Sequence, residues 1–178
     1  FLEDILIKLS HERPIFNMEA DFQHALGWKI HTKFPDWKIR FEKKPPNLSE
    51  RIFIDLWING DFDYAIELKY KTKKSELISN DETFNLLNHG AQDLGRYDFL
   101  KDVERLEKIV ATHEKTRGYA ILMTNDSAYW TLPTKNTIDQ QFRIHDGREI
   151  NSDELKWAES ASYGTMRGRE KPLKLNGR

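Results

Sequence analysis

The stretch RIFIDLWINGDFDYAIELKYKTKK, residues 51 to 74, constrains the fold more than any other, because it places two strand-length apolar runs around one turn. Strand side chains alternate between faces, so residues 51 to 58 set Ile52, Ile54, Leu56 and Ile58 against Phe53, Asp55 and Trp57. Residues 64 to 71 gather Tyr64, Ile66, Leu68 and Tyr70 on one face and leave Glu67 and Lys69 on the other. Register decides whether these charges meet. A two-residue Asn59-Gly60 turn would pair Ile52 with Glu67 and Ile58 with Asp61, burying carboxylates in the apolar face. With residues 59 to 63 as the loop, Ile58 faces Tyr64, Leu56 faces Ile66, Ile54 faces Leu68 and Ile52 faces Tyr70, and Asp55 stands directly opposite Glu67. A three-residue loop is expected to set the two carboxylates diagonally, still on one face.

Two carboxylates opposed across a strand pair repel, and the arrangement calls for a cation between them or a raised pKa. An oxygen-rich site with few protein ligands suits Mg²⁺, which keeps several waters and binds through one or two carboxylates plus phosphate oxygens. Lys69 beside it is placed to orient or deprotonate a water, or to hold a phosphate oxygen. The plainer reading is a solvated strand face with a cross-strand salt bridge. An acid two residues before a lysine also occurs at Asp36/Lys38, Glu42/Lys44 and Glu154/Lys156, but only Glu67/Lys69 sits in an apolar strand whose partner supplies an aspartate on the same face.

Upstream, NMEADFQHALGWKI spaces Met18, Phe22, Ala25, Leu26 and Ile30 as a helix with Asn17 as N-cap, and WKIRFEKK alternates as a strand at or near an edge before Pro45-Pro46. From Asp81 onward, Phe99, Val103, Leu106 and Val110 mark the apolar stripe of a long helix, with a break at Asn88-His89-Gly90. GYAILMTN reads as a buried fourth strand closing a helix-to-strand crossover. Beyond Thr131 short strands are expected at FRIHD and REKPLKL, and a short helix from Asp153 to Ala158. The expected class is α/β, a central mixed β-sheet flanked by helices, in one domain spanning 1–178 with a core of about 15–125 and appended elements over 126–178.

A formal charge of -1 argues against a partner held by bulk electrostatics. The absence of cysteine removes disulfides and thiolate chemistry and suits a cytoplasmic chain, and no apolar run reaches the roughly 20 residues of a membrane span. The start at Phe1 and the end at KLNGR suit a piece of a longer product. The six His show no two-His zinc spacing, and neither GREI nor MRGR makes a phosphate-binding glycine loop.

Asp55 followed twelve residues later by Glu67-Leu68-Lys69 resembles the P-D-(D/E)-x-K signature of the restriction-endonuclease-like nuclease superfamily, and the element order is similar to its αβββαβ core. RPIFNMEADFQHAL and GRYDFLKDVERLE look like segments of an uncharacterised bacterial branch of that superfamily, and the likeness covers roughly the first 125 residues. Ile54 stands where the signature has proline, and Gln92 and Tyr97 are one residue too far apart for the Gln-x-x-x-Tyr motif of some branches. The resemblance implies a Mg²⁺-dependent phosphodiesterase, with Mn²⁺ as substitute, in which Asp55 and Glu67 hold metal, Glu19 on the first helix completes the site, and Lys69 serves the attacking water. It also implies nucleic acid, DNA first, as partner, and a homodimer where both strands are cut. Gln23, Lys71, Lys73 and Lys74 are weaker candidates for nucleic-acid contact, against solvated polar surface as the plainer reading. Asp93, Arg96 and Asp98 are expected to form ion pairs on the helix surface, and Arg167, Arg169, Lys171 and Lys174 to alternate along an edge strand. The rival functions are a catalytically inactive nuclease-fold module that binds nucleic acid or protein, and a hydrolase of small phosphoesters.

Overall fold

In chain order the elements are α1 (Leu2–Glu12), α2 (Glu19–Lys33), β1 (Lys38–Lys43), β2 (Ile54–Asn59), β3 (Asp63–Lys71), β4 (Ser75–Ser79), β5 (Glu82–Leu86), α3 (Gln92–Thr112), β6 (Thr116–Thr124) and the single turn α4 (Tyr163–Met166). This computed structural model describes residues 1–46, 52–150 and 154–176. Strands β1, β2 and β3 form an antiparallel meander, and β6 joins β3 in parallel after the α3 crossover, giving a mixed four-stranded sheet in the order β1-β2-β3-β6. Mixed α/β architecture with helices on the sheet is therefore as expected.

Alternation along β2 and β3 divides the core. Leu56, Ile58, Ile66, Leu68 and Tyr70 pack against Phe22, Leu26 and Ile30 of α2 and Ile5 and Leu9 of α1. Trp57, Ala65 and Ile54 face the other way, onto Leu106 and Ile109 of α3. Gly118 of β6 lets α3 ride low on this second face, since a Cβ there would stand 3.2 Å from Leu106 Cβ. The buried stripe of α3 includes Leu100, Asp102, Leu106 and Ile109, rotated from the expected Phe99, Val103, Leu106 and Val110.

Several local expectations need correction. Helix α2 is capped at Met18 rather than Asn17, because the Asn17 N–H donates to the Asp21 carboxylate at 3.0 Å and Arg13 holds that carboxylate from outside. The segment expected as helix from Asp81 opens instead with the β4–β5 hairpin. Its two-residue turn, Asn80-Asp81, takes φ values of 51° and 62°, the left-handed pair that short-chain Asn and Asp tolerate. Helix α1 was not anticipated. Near the C-terminus a 3-10 turn at Gln140–Phe142 and one bridge, Leu155↔Leu173, stand where strands were expected. Asp153 of the expected short helix, like Arg51 of the expected strand, lies outside the described residues, and 154 to 158 are not helical.

That C-terminal segment is fastened by side chains rather than by a ladder. Phe142, Leu155 and Leu173 pack on Tyr97 and Leu100 of α3, and Trp157 stacks on Tyr97. Arg96 is buried, not on the surface as expected, with Nε on Asp139 at 2.7 Å, and Arg169 grips both oxygens of Asp98 at 2.7 Å. Among the described residues no helix is long and apolar enough to cross a membrane.

Candidate active site where β2 and β3 part

The β2–β3 ladder pairs Asn59↔Asp63, Ile58↔Tyr64, Trp57↔Ala65 and Leu56↔Ile66. This is the register that core burial requires, closed by the three-residue loop 60–62 rather than 59–63. The shorter loop leaves Asp55 in line with Glu67, not diagonal to it. Past Leu56↔Ile66 the strands separate, and the expected pairs Ile54/Leu68 and Ile52/Tyr70 do not form. On the other side, the β1–β2 ladder steps from Phe41↔Leu56 to Lys43↔Ile54 without pairing Glu42 and Asp55. Glu42 there has φ 47°. Ile54 and Trp57, an odd number apart, share the α3 face, so alternation is broken between them.

Asp55 sits at the break, and its side chain replaces the missing strand contact. Its Oδ2 accepts from the Leu68 N–H at 2.6 Å, and its carbonyl accepts from Gln23 Nε2 at 2.7 Å. Gln23 Nε2 also lies 3.2 Å from Glu42 Oε1, so this nearly buried amide bridges both strands at the irregular point. Two residues further along β3, Glu19 Oε2 accepts from the Tyr70 N–H at 2.8 Å. Two acids from β2 and α2 are thus each moored by one oxygen to a backbone amide of β3.

Glu67 is only 2% exposed. Arg105 Nη1 meets its Oε1 at 2.5 Å, while Asp102, one turn earlier on α3, takes Lys69 Nζ at 2.6 Å and Arg105 Nη2 at 3.3 Å. Burial, then the negative charge of Asp102, against the relief from Arg105, push the Glu67 carboxyl up to about 8, with Asp55 adding to the rise. Near neutral pH this favours the protonated form of Glu67, which lies beside the Asp55 carboxyl. Burial also raises Asp55, against the Leu68 N–H and the Lys69 charge, with Glu42 pushing the same way as burial. Burial works against the Lys69 ammonium, but Asp102, Glu19 and Asp55 more than offset it and hold its pKa above the ordinary value. Asp55, Glu67, Asp102, Glu19 and Glu42 thus outnumber Lys69 and Arg105, and the cleft carries surplus negative charge that protons or a cation must meet.

The structure joins Asp55, Glu67 and Lys69 and brings Glu19 beside Lys69. Among the described residues it forms no group of three or more His, Cys, Asp or Glu ready to hold an ion. Two adjacent carboxylates with raised pKa values do fit a Mg²⁺ that completes its shell with water and phosphate. Of the lysines expected to follow a strand of nucleic acid, Lys73 is tied to Asp126 at 2.9 Å, Lys71 is half-buried and Lys74 is exposed. Asp102 and Arg105 escaped the sequence reading. The signal was a carboxylate in the stripe Asp102, Leu106, Ile109, which steps by four and three.

Comparison with protein-family models, with curated proteins and with solved structures finds no match.

Proposed function

We propose that this protein is a metal-dependent nuclease with a restriction-endonuclease-like αβββαβ core, cutting phosphodiester bonds of nucleic acid, DNA first. The observation that supports it most is the contact between the Asp55 and Glu67 carboxyls in a cleft with surplus negative charge, with Lys69 two residues along the same strand. Asp55 and Glu67 would hold Mg²⁺ or Mn²⁺, with Glu19 completing the site, and the ion when bound would supply charge for the phosphoryl oxygens and an acidified water. Lys69 acts as a fixed cation. Its raised pKa disfavours a role as base near neutral pH, and the Asp102 carboxylate aims its ammonium to hold a phosphate oxygen or orient the water. Arg105 balances Glu67 and offers a second cation to the charge that develops on the phosphate.

The test is cleavage of single- and double-stranded DNA and RNA with Mg²⁺ or Mn²⁺, alongside Asp55→Ala. Metal-dependent cutting that Asp55→Ala abolishes supports the proposal. Inert wild-type protein whose metal affinity is unchanged by Asp55→Ala sinks it. One observation favours the inactive binding module as second reading: Arg105 already occupies Glu67, and no third carboxylate joins the pair among the described residues. Nucleic-acid or protein binding that survives Glu67→Ala, with no cleavage under any metal, would favour that module.

A further inference from the structure

Residues outside the acidic cleft form a second feature along the open edge of the sheet. A groove of about 490 Å³ runs between α2 and β1, lined by His24, Trp28, His31, Lys38, Arg40 and Phe41 among others. Trp28 is 72% exposed and Phe41 42% exposed, large apolar surfaces that a chain of this size does not need in solvent. Their setting is stiff. Gly27 lets Phe41 lie across α2, since a Cβ there would stand 2.7 Å from Phe41 Cζ, and the Phe41 ring meets His24 edge-on at 5.2 Å. At the far end Trp37 is stacked between Phe34 and Tyr64. Positive charge comes from Lys38 and Arg40 on the edge strand, with Lys33 at the end of α2.

The groove adjoins the cleft through neighbouring residues on both elements. His24 follows Gln23, which holds the Asp55 carbonyl, and Phe41 precedes Glu42, the other partner of Gln23. We propose that this groove binds an unpaired strand of nucleic acid, bases stacked on Trp28 and Phe41 and phosphates on Lys38 and Arg40, and so delivers single-stranded substrate to the cleft; the delivery, though not the binding, rests on the nuclease reading. Three features select this occupant. Bases stack on side chains only when they are out of a duplex. The net charge of -1 lacks the broad basic footprint of a duplex binder, whereas a few cations beside aromatic rings suffice for a single strand. A second copy paired antiparallel along β1 and centred on Ile39 would set each Lys38 opposite an Arg40, which is unfavourable.

The experiment measures fluorescence anisotropy of labelled oligodeoxythymidine, oligouridine and a hairpin duplex of equal length with the full chain in EDTA, where metal-dependent cleavage is blocked. Trp28→Ala is expected to weaken single-strand binding about tenfold, Trp28→Phe to retain most of it, and the duplex to bind more weakly and indifferently to either change. Trp28 is exposed, so the fold should survive, and a matched melting curve confirms it. Equal single-strand binding by wild type and Trp28→Ala, or no binding by wild type, overturns the proposal. So does a concentration-dependent dimer that Trp28→Ala abolishes while leaving the oligonucleotides bound. Strand binding that depends on Trp28 without cleavage under any metal would uphold the groove and remove the nuclease. Cleavage with no dependence on Trp28 would do the reverse.

Discussion

Along its first turns α3 buries Arg96 against Asp139 and gives Asp98 to Arg169; one to two turns later the same helix gives Asp102 to Lys69 and Arg105 to Glu67. In the first region the charges are matched. Burial alone would raise the Asp139 carboxyl, but the Thr137 hydroxyl and Arg96 bring it below the ordinary carboxylate range. In the second region acids are in excess, and burial drives Asp55 and Glu67 upward. Similar side chains on one helix thus fasten a C-terminal segment in one place and hold unbalanced charge in another. Balance fits an anchor, and imbalance fits a site awaiting a ligand.

The sharpest way to break this contrast is by activity. Glu67→Ala and Lys69→Ala should each lower metal-dependent cleavage by about 10³-fold in initial-rate assays, whereas Asp98→Asn should leave the rate near wild type. Equal losses in both regions would erase the distinction. Next comes stability. Asp139→Ala strands the buried Arg96 and should cost about 3–5 kcal/mol in urea unfolding, while Glu67→Gln at pH 8 should not destabilise, because it removes a charge that the fold holds at a cost.

The pH dependence should separate the regions in sign. Glu67 is raised from 4.5 to about 8, so its contribution is full below pH 4.5 and is lost as pH rises through about 8. Asp139 is lowered from 3.8, so its contribution is present above that value and is lost as pH falls through its folded pKa. Thermal melts from pH 3 to 9 should therefore show a decline between pH 4.5 and about 8, a few kcal/mol at most, that Glu67→Gln flattens, and an acid decline that Asp139→Asn changes instead. The smallest effect concerns Arg105. Removing its charge in Arg105→Gln should tighten Mg²⁺ binding by about fivefold in calorimetry above pH 8, where Glu67 is ionised; unchanged affinity would mean that Arg105 and the metal do not share Glu67.

The same contrast explains what could be read from the sequence. The facial parity of the β2–β3 register was legible because a two-residue turn would bury Asp61 and Glu67 in the apolar face, and the strand–helix–strand crossover was legible because α3 and β6 have long, distinct periods. Parity did not foresee that β2 is unpaired from β3 before Leu56, since the break depends on Gln23, Glu42 and the Leu68 amide, which come from three different elements, acting together on Asp55. Asp102 and Arg105 were hidden for a similar reason. On a helix rich in mixed charge, their partners on β3 lie more than 30 residues away. The β4–β5 hairpin leaves Ile78 exposed, so no alternation announced it, and the C-terminal segment is held by single ion pairs and one bridge, which have no period.

Mooring at Leu68 and Tyr70 also bears on which ion the cleft would prefer. Asp55 and Glu19 each commit one oxygen to a β3 amide, so each has one oxygen outside that bond to offer. One-oxygen ligation from fixed directions suits the compact octahedral shell of Mg²⁺. A larger ion such as Ca²⁺, which gathers six to eight oxygens and often takes both from one carboxylate, would have to pull Asp55 off the strand it holds in place. If the cleft holds a cation as proposed, its denticity would be set by the backbone of β3, and selectivity among hard cations would be a property of the sheet itself.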